Sequence, residues 1–193
     1  PIYEPGLNEL IKKNFKAKRL FFTNDLKKAI TMSDIIFICV GTPTKKSSLK
    51  VDLSFVYKCA KEVFLLTKKK KIIVTKSTVP VGTGDEIEKI FKKRKKLFSV
   101  ISNPEFLREG DAIRDFRYPD RIIIGSDNKN DFKIMEKLYA PLLNKGAKFF
   151  TTSRKSAELI KYASNAFLAT KITFINELAN LCEKLGINVE DVS

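Results

Sequence analysis

Two carboxylates, Glu105 and Glu109, follow a predicted strand end and could take part in acid–base chemistry. A β-branched run stops just before them, at Asn103-Pro104. Because proline has no amide hydrogen and disfavours helical backbone in the residue before it, strand pairing should end at this dipeptide. Both carboxylates are therefore predicted to lie beyond the edge of a sheet. A second interpretation makes them first-turn acids of a short helix, stabilised by the helix dipole.

Hydroxyl groups follow two other predicted strands at the equivalent place. The buried-strand pattern at 34–40 leads into Thr42, and the pattern at 71–75 leads into Thr78. Ligands of doubly wound α/β proteins collect beyond the carboxyl ends of the strands. Thr42, Thr78 and Glu105 are thus candidates for one site, although each could also be a turn or cap residue.

Lys161 and Asn165 lie one turn apart on a long predicted helix, from about Arg154 to Leu185. They share its second, partly apolar face, which predicts a cation and an amide held together in a semi-buried place. The alternative is that Lys161 extends to water. At roughly 30 residues, or about 45 Å, the helix could join two domains. Its main apolar stripe predicts a core face: Ile160, Ala163, Phe167, Phe174, Leu178, Leu181 and Leu185.

The elements between these residues alternate in type. A helix from Leu7, a strand at Arg19–Thr23 and a helix capped by Asn24-Asp25 precede the apolar strand at 34–40. Strand, loop and helix then repeat up to Asn103, and a further helix and strand lead to the long helix. This order predicts an α/β fold with a doubly wound parallel sheet.

Composition limits the class of protein. The 193 residues are 44% hydrophobic, enough for one domain and the start of another. No uncharged apolar run approaches the roughly 18 residues of a membrane span, which predicts a soluble, cytoplasmic protein without a membrane partner. Three cysteines lie far apart, Cys39, Cys59 and Cys182, and the chain contains no histidine. Neither a disulfide framework nor a metal site is predicted.

A net charge of +15 raises the question of nucleic acid. The dense basic runs are Lys68–Lys71 and Lys92–Lys96, and both fall where helices are predicted to end. Cations are favoured at helix C-termini, and no aromatic residues alternate with these lysines as a stacking surface would need. Solvated helix ends are therefore the preferred interpretation. Nucleic-acid binding is the less favoured alternative.

Five motifs stand in order along the chain: VGTPT at 40–44, STVPVGT at 77–83, NPEFLREG at 103–110, PDRIIIG at 119–125 and ELIKYASNAFLATKITFINE at 158–177. In order and spacing they resemble the UDP-glucose/GDP-mannose dehydrogenase family, and the resemblance covers essentially the whole chain. Within that family, IYEPGL at the start and PDRI at 119–122 are similar to the members that oxidise UDP-glucose.

The resemblance implies a division into two parts. Residues 1–152 would form part of a Rossmann-like NAD-binding domain whose sheet lacks its first strands. Residues 153–193 would begin a central helical domain that serves dimerisation and substrate binding. The implied cofactor is NAD, the implied substrate is UDP-glucose, and the implied assembly is a homodimer.

The family oxidises the C6 alcohol of a UDP-sugar to a carboxylate in two NAD-dependent steps, through a thioester on a cysteine. The resemblance implies that Glu105 and Thr78 activate the hydrolytic water, that Lys161 stabilises the oxyanion, and that Asn165 holds the sugar. Thr42, Thr78 and Glu109 would lie along the NAD. The substrate would contact Glu105, Phe106, Leu107, Arg108, Glu109, Lys161 and Asn165.

Two family motifs are not found among these 193 residues. They are the GxGxxG phosphate turn and the GGxCxPKD segment that carries the nucleophile, and neither Cys39, Cys59 nor Cys182 has that context. Cys39 and Cys182 are predicted to be core residues. The chain is therefore expected to be an internal fragment that is inactive alone. The alternatives are a non-catalytic module that binds a UDP-sugar or nucleotide, and a dehydrogenase of another UDP-sugar.

Overall fold

A five-stranded sheet in the order β1-β2-β3-β4-β5 lies at the centre of the protein. The computed structural model describes residues 3–46, 48 and 50–192. Pro1 and Ile2 of the predicted opening motif, and Ser193 of the predicted second part, lie outside the described residues. The strands are β1 (Ile35–Ile38), β2 (Lys71–Thr75), β3 (Phe98–Ser102), β4 (Arg121–Gly125) and β5 (Lys148–Thr152).

Helices alternate with these strands, which confirms the predicted α/β class. Of the predicted cap residues Asn24-Asp25, Asp25 caps α2, because its side chain accepts the Lys28 N–H over 2.9 Å. The long final helix has the predicted bounds. The α-helices are α1 (Leu7–Lys16), α2 (Leu26–Met32), α3 (Ser54–Leu66), α4 (Thr83–Phe91), α5 (Ala112–Arg117), α6 (Lys129–Leu143) and α7 (Arg154–Leu185), and 3-10 turns lie at Lys92–Leu97 and Val189–Asp191.

The sheet is parallel except at one junction. β1, β2 and β3 run parallel, as their buried apolar runs predicted, and β4 and β5 form a second parallel pair. The two groups meet at an antiparallel pair, Ser102 with Gly125. The connection from β3 to β4 contains only the six-residue α5. A parallel return needs a longer crossover, usually a full helix, so here the strand direction reverses.

β2 shows how both faces of the sheet are covered, since all five of its residues are buried. Ile73 packs into a cluster with side chains of α3 and α4. Its neighbours Ile72 and Val74 point the opposite way, into a cluster with Met135 and Tyr139 of α6. Because helices cover both faces, a ligand can reach the strands only at their ends.

Gly125, the last residue of β4, lies against the first turn of α7. A Cβ atom there would lie 2.7 Å from the Ser153 carbonyl oxygen and 2.8 Å from Arg154 Cα. Both atoms belong to the backbone, so no side-chain rotation relieves the clash. Gly125→Ala should therefore lower the free energy of unfolding by about 3 kcal/mol, the upper end of the usual overpacking range.

Urea denaturation followed by circular dichroism measures this loss. The matched control is Gly41→Ala, because no atom lies within 4 Å of a Cβ at Gly41. Equal unfolding free energies for the two variants would contradict the close approach of β4 and α7.

The predicted strand at Arg19–Thr23 is wrong. These residues form an irregular segment after α1, and β1 is the outermost strand of the described sheet on that side. Phe21 and Phe22 are exposed. Aromatic residues favour a half-buried pleated surface, but their presence alone does not provide a neighbouring strand.

The apolar stripe of α7 is also not a core face in this chain. Phe167 and Phe174 are 67% and 62% exposed, and Leu181 and Leu185 are exposed as well. Helical periodicity identifies residues that share a face but not what covers that face. The remaining stripe residues contribute little to either described core cluster.

The predictions for the two core cysteines have different outcomes. Cys182 is buried, as predicted. Cys39 is exposed, contrary to prediction, because β1 is shorter than the apolar run suggested and ends at Ile38.

The two basic runs lie where helices end, as predicted. Lys68 to Lys70 follow α3, and Lys92–Lys96 forms a 3-10 turn after α4. Lys71 differs from its neighbours, because it is buried at the start of β2 and donates hydrogen bonds to the carbonyls of Thr31 and Ser33. Its charge is therefore not part of a surface patch.

Candidate active site at the carboxyl edge of the sheet

Asn103 fixes the point at which the chain leaves β3. Its N–H donates to the Thr75 carbonyl over 2.9 Å, which extends the pairing with β2 by one residue. Its side-chain amide donates to the Ile123 carbonyl over 3.0 Å, and its Oδ1 accepts from the Tyr139 hydroxyl over 2.6 Å. Pro104 follows and ends the pairing. Three hydrogen bonds, to β2, β4 and α6, thus fix the predicted end of the strand.

Glu105 then enters the site and pairs with Lys161. Its Oε1 lies 3.0 Å from the Lys161 Nζ, and its Oε2 accepts the Leu107 N–H over 2.6 Å. Residues 103–110 contain no helix, so the interpretation of Glu105 and Glu109 as first-turn acids is wrong. The Lys161 side chain is only 9% exposed. The alternative in which Lys161 extends to water is therefore also wrong.

Glu158 holds the part of α7 that carries Lys161 against the neighbouring elements. This residue is 3% exposed and lies one turn before Lys161. Its carboxylate accepts the N–H groups of Gly82 and Gly84, over 2.6 and 2.8 Å, and the Ser102 hydroxyl over 3.0 Å. These bonds satisfy free N–H groups at the start of α4. They also fix α7 against β3, so that Lys161 faces the end of that strand.

Arg154 fixes the first turn of α7 in the same way. Its guanidinium is buried and lies within 2.9 Å of carboxylate oxygens of Asp85 and Glu88, and 2.6 Å from Asp127. Burial alone would raise the pKa of Asp85, but its bonds to Arg154 and Lys155 outweigh that effect and lower it. Charged residues therefore fix the first two turns of α7, with Arg154 in the first turn and Glu158 in the second.

A cleft of about 720 Å³ opens beside the ion pair. Phe106 forms part of its wall, with the Arg121 guanidinium 4.8 Å from the ring centroid and the Lys161 ammonium at 5.4 Å. Arg121 also donates to the Ser164 hydroxyl over 3.1 Å. Cations held over an aromatic face keep their charge available to an anion in the cleft.

The predicted substrate residues differ in their relation to this cleft. Glu105, Phe106, Leu107 and Arg108 line it, together with Lys161 and Asn165. Asn165 is exposed. Glu109 is exposed and lies outside the lining.

Arg108 folds the loop back onto α5. Its guanidinium and backbone N–H bond to Asp115, and a further ion pair of 2.8 Å joins it to Asp111. The bonds from Arg108 lower the pKa of Asp115 to about 2. The loop thus has a defined shape, although the Arg108 side chain is largely exposed.

Thr42 and Thr78 come together next to this cleft. The Thr42 hydroxyl donates to the Thr78 carbonyl over 2.9 Å, which ties the loop after β1 to the loop after β2. Thr78 and Lys161 line a small cavity of about 10 Å³. That volume corresponds to about one water molecule. The prediction that Thr42, Thr78 and Glu105 lie at one edge is therefore consistent with the geometry.

Lys76 lines the cleft as well, although no sequence argument selected it. Its Nζ donates to Asn103 Oδ1 over 3.4 Å. Burial lowers the pKa of Lys76, while the charges of Cys39 and Glu105 act in the opposite direction. Burial also raises the pKa of Tyr139 to about 12. The buried Lys161 and the half-buried Lys76 beside one carboxylate make this end of the cleft favourable for an anionic group.

Sequence reasoning did not select three residues of the site, of which Lys76 and Arg121 line the cleft and Glu158 supports it from behind. Lys76 directly precedes STVPVGT, and Glu158 begins the motif that contains Lys161. Arg121 lies inside PDRIIIG. Each of the three lies in or next to one of the five motifs, and this proximity was the only sequence feature that could have pointed to it.

Other kinds of site find no support in the part of the chain that the structure describes. There, no group of three or more histidine, cysteine, aspartate or glutamate side chains could hold a metal ion. None of the described helices is long and apolar enough to cross a bilayer. Cys39, Cys59 and Cys182 do not line the cleft.

Comparison with protein-family models gives two matches that together span most of the chain. Residues 1–143 match the NAD binding domain of the UDP-glucose/GDP-mannose dehydrogenase family, and residues 155–193 match the central domain of the same family.

Individual relatives agree with these models. UDP-glucose 6-dehydrogenase from Rhizobium meliloti is 53% identical over the whole chain, which covers 45% of that protein. GDP-mannose dehydrogenase from Pseudomonas aeruginosa superposes with a TM-score of 0.92 at 36% identity, covering 100% of this chain and 45% of that one. UDP-glucose dehydrogenase from Pyrobaculum islandicum superposes with a TM-score of 0.90 at 38% identity, and the match covers 99% of this chain and 45% of that one. The chain spans less than half the length of the curated relatives it matches.

Proposed function

Because the chain belongs to the UDP-glucose/GDP-mannose dehydrogenase family, we propose that it forms part of an enzyme that oxidises the C6 alcohol of UDP-glucose to a carboxylate with NAD. The observation that carries this proposal is the ion pair between the buried Lys161 and the partly exposed Glu105 on the wall of the cleft. Oxidation of an alcohol develops negative charge on oxygen, and hydrolysis of an acyl intermediate needs an activated water. A cation and a carboxylate 3.0 Å apart provide groups suited to both tasks.

We propose distinct roles for these two groups. The Lys161 ammonium stabilises the C6 oxygen as it becomes negative, because a fixed cation acts strongly in a site with little water. Glu105, which lines the cleft, accepts a proton from the water that ends the reaction. Asn165, on the wall of the cleft, binds the sugar.

The edge formed by β1 and β2 suits the uncharged groups of NAD. There the Thr42 hydroxyl donates to the Thr78 carbonyl, and the Ser77 hydroxyl donates to the Val40 carbonyl. Neutral hydroxyl and backbone groups fit a ribose and a carboxamide, which need hydrogen bonds rather than opposite charge. NAD supplies the hydride acceptor when bound. We propose that Thr42 and Thr78 contact it, and that Glu109, on the exposed part of the loop, reaches it as well.

A graft tests the activity. In the graft, this chain replaces the matched segment of the Rhizobium meliloti relative. We expect NADH formation that depends on UDP-glucose and exceeds the rates with GDP-mannose and with UDP-N-acetylmannosamine. A higher rate with either competitor would overturn the choice of sugar. No turnover with any sugar, in a folded graft, would overturn the proposed reaction.

A binding module without chemistry is the second candidate. The exposed cleft and its cations would serve binding alone equally well. Titration calorimetry with UDP-glucose and NAD on a folded but inactive graft identifies this case, because such a module binds at least one of the two ligands.

We further propose that the exposed apolar stripe of α7 is covered by a second copy of the chain. Phe167, Phe174 and Leu181 recur every seven residues, a spacing that suits packing between helices. Light scattering of the chain should give about twice the monomer mass of 22.0 kDa. Phe174→Lys should return the monomer mass, because it places a charge in the centre of the stripe.

The matched control is Asn176→Lys, on the opposite side of the same helix, which should leave the dimer intact. A monomeric parent chain, or a dimer unaffected by Phe174→Lys, would contradict the proposal.

A further inference from the structure

Glu4 reaches across the molecule to the far end of the loop that carries Glu105. Its Oε1 accepts the Gly110 N–H over 2.7 Å, and its Oε2 accepts the Ala112 N–H over 3.1 Å. The partners are more than a hundred positions away in sequence. One carboxylate thus satisfies two backbone donors at the junction between the 105–110 loop and α5.

Within the part of the chain that the structure describes, Glu4 is the side chain that accepts from these donors. Asp111 is the N-cap residue of α5, but its side chain makes no capping bond and pairs instead with Arg108. The first N–H groups of a helix need an acceptor, and an anion is favoured there. Glu4 therefore performs from a distant segment the task that an N-cap residue usually performs locally.

Glu4 is itself well placed to hold the loop. Its carbonyl accepts the Leu7 N–H over 3.2 Å, in the turn that starts α1. The loop is then fixed at both ends, by Asn103 at its start and by Glu4 at its end. Between these points, the loop supplies Glu105, Phe106 and Leu107 to the cleft.

We propose that Glu4 is a positioning residue that holds the 105–110 loop in its sugar-binding shape; the link to the sugar rests on the function proposed above. Loss of Glu4 releases the loop at Gly110, whose φ is 85° and whose backbone, lacking a Cβ atom, can adopt many other conformations. The cleft wall then becomes less ordered, and substrate must reorder it on binding. The resulting cost appears in KM more than in kcat.

Hydrogen exchange measured by mass spectrometry tests the contact on the full chain. Glu4→Gln presents an NH₂ group to one of the two donors, and Glu4→Ala removes both acceptors. We expect amide exchange in the segment 108–113 to become at least about tenfold faster in Glu4→Ala, and by less in Glu4→Gln, since one hydrogen bond typically contributes about 1 kcal/mol. Glu9→Gln, an exposed acid on α1, is the matched control. Unchanged exchange in Glu4→Ala would overturn the proposal.

Kinetics of the graft test the consequence. We expect Glu4→Ala to raise KM for UDP-glucose about fivefold or more with kcat changed less than twofold. A fall in kcat at constant KM would show a general loss of folded enzyme and would overturn the positioning role. If the parent graft lacks activity, the proposed function fails, while hydrogen exchange still decides whether Glu4 holds the loop.

Discussion

Lys161→Ala in the graft should lower kcat with UDP-glucose by about a hundredfold or more, the usual cost of losing one oxyanion-stabilising group. The Lys161 ammonium is buried and lies 3.0 Å from Glu105, so its charge is only weakly screened by water. The C6 alcohol is neutral when substrate binds, whereas its oxygen is negative as the hydride leaves. KM should therefore change less than kcat.

Three comparisons make this result specific to the charge. Lys184→Ala, in the last turn of the same helix, should leave kcat unchanged. Lys161→Arg should retain part of the rate because it keeps the cation. Added ethylamine should partly restore Lys161→Ala, since a small ammonium ion fits the space left by the side chain. A kcat within threefold of the parent value would remove Lys161 from the proposed oxyanion role.

The environment of Glu105 shows how far sequence alone could reach. Asn103-Pro104 predicted the end of β3, because proline lacks an amide hydrogen wherever it occurs, whatever surrounds it in the fold. The resemblance assigned Glu105 and Lys161 separate roles in one site, and the structure brings them to 3.0 Å from each other. Their proximity, however, depends on Glu158 and Arg154, which fix α7 against β3 and α4. Contacts between such distant segments leave no periodic pattern in the sequence.

The errors have a common physical cause. Arg19–Thr23 has the composition of a strand and α7 has the stripe of a core helix, yet both are exposed in this chain. A sequence pattern shows that one surface of an element is apolar, but it does not show which other element packs on that surface. The Glu4 contact to Gly110 is the converse case, because a polar residue in an opening turn gives no sign of a partner so far along the chain.

Glu105→Gln in the graft should allow both oxidation steps and then block release of the product. The family chemistry passes through a thioester between a cysteine sulfur and the C6 carbonyl carbon, and water must add to that carbon to free the thiol and form the carboxylate. Glutamine cannot accept the proton that this water loses. We therefore expect steady-state turnover to fall by about a hundredfold and a covalent adduct to accumulate on the cysteine contributed by the relative.

Mass spectrometry of the acid-quenched variant detects the adduct, and a second variant separates the role of Glu105 from the loss of the ion pair. Both Glu105→Gln and Lys161→Met remove the pair, but Lys161→Met should slow the first oxidation and leave the cysteine unmodified. Glu136→Gln, an exposed acid on α6, controls for loss of a carboxylate and should turn over normally. An unmodified cysteine with undiminished turnover in Glu105→Gln would show that water is activated elsewhere. The carboxylate would then serve only to orient Lys161 and to bind the Leu107 N–H.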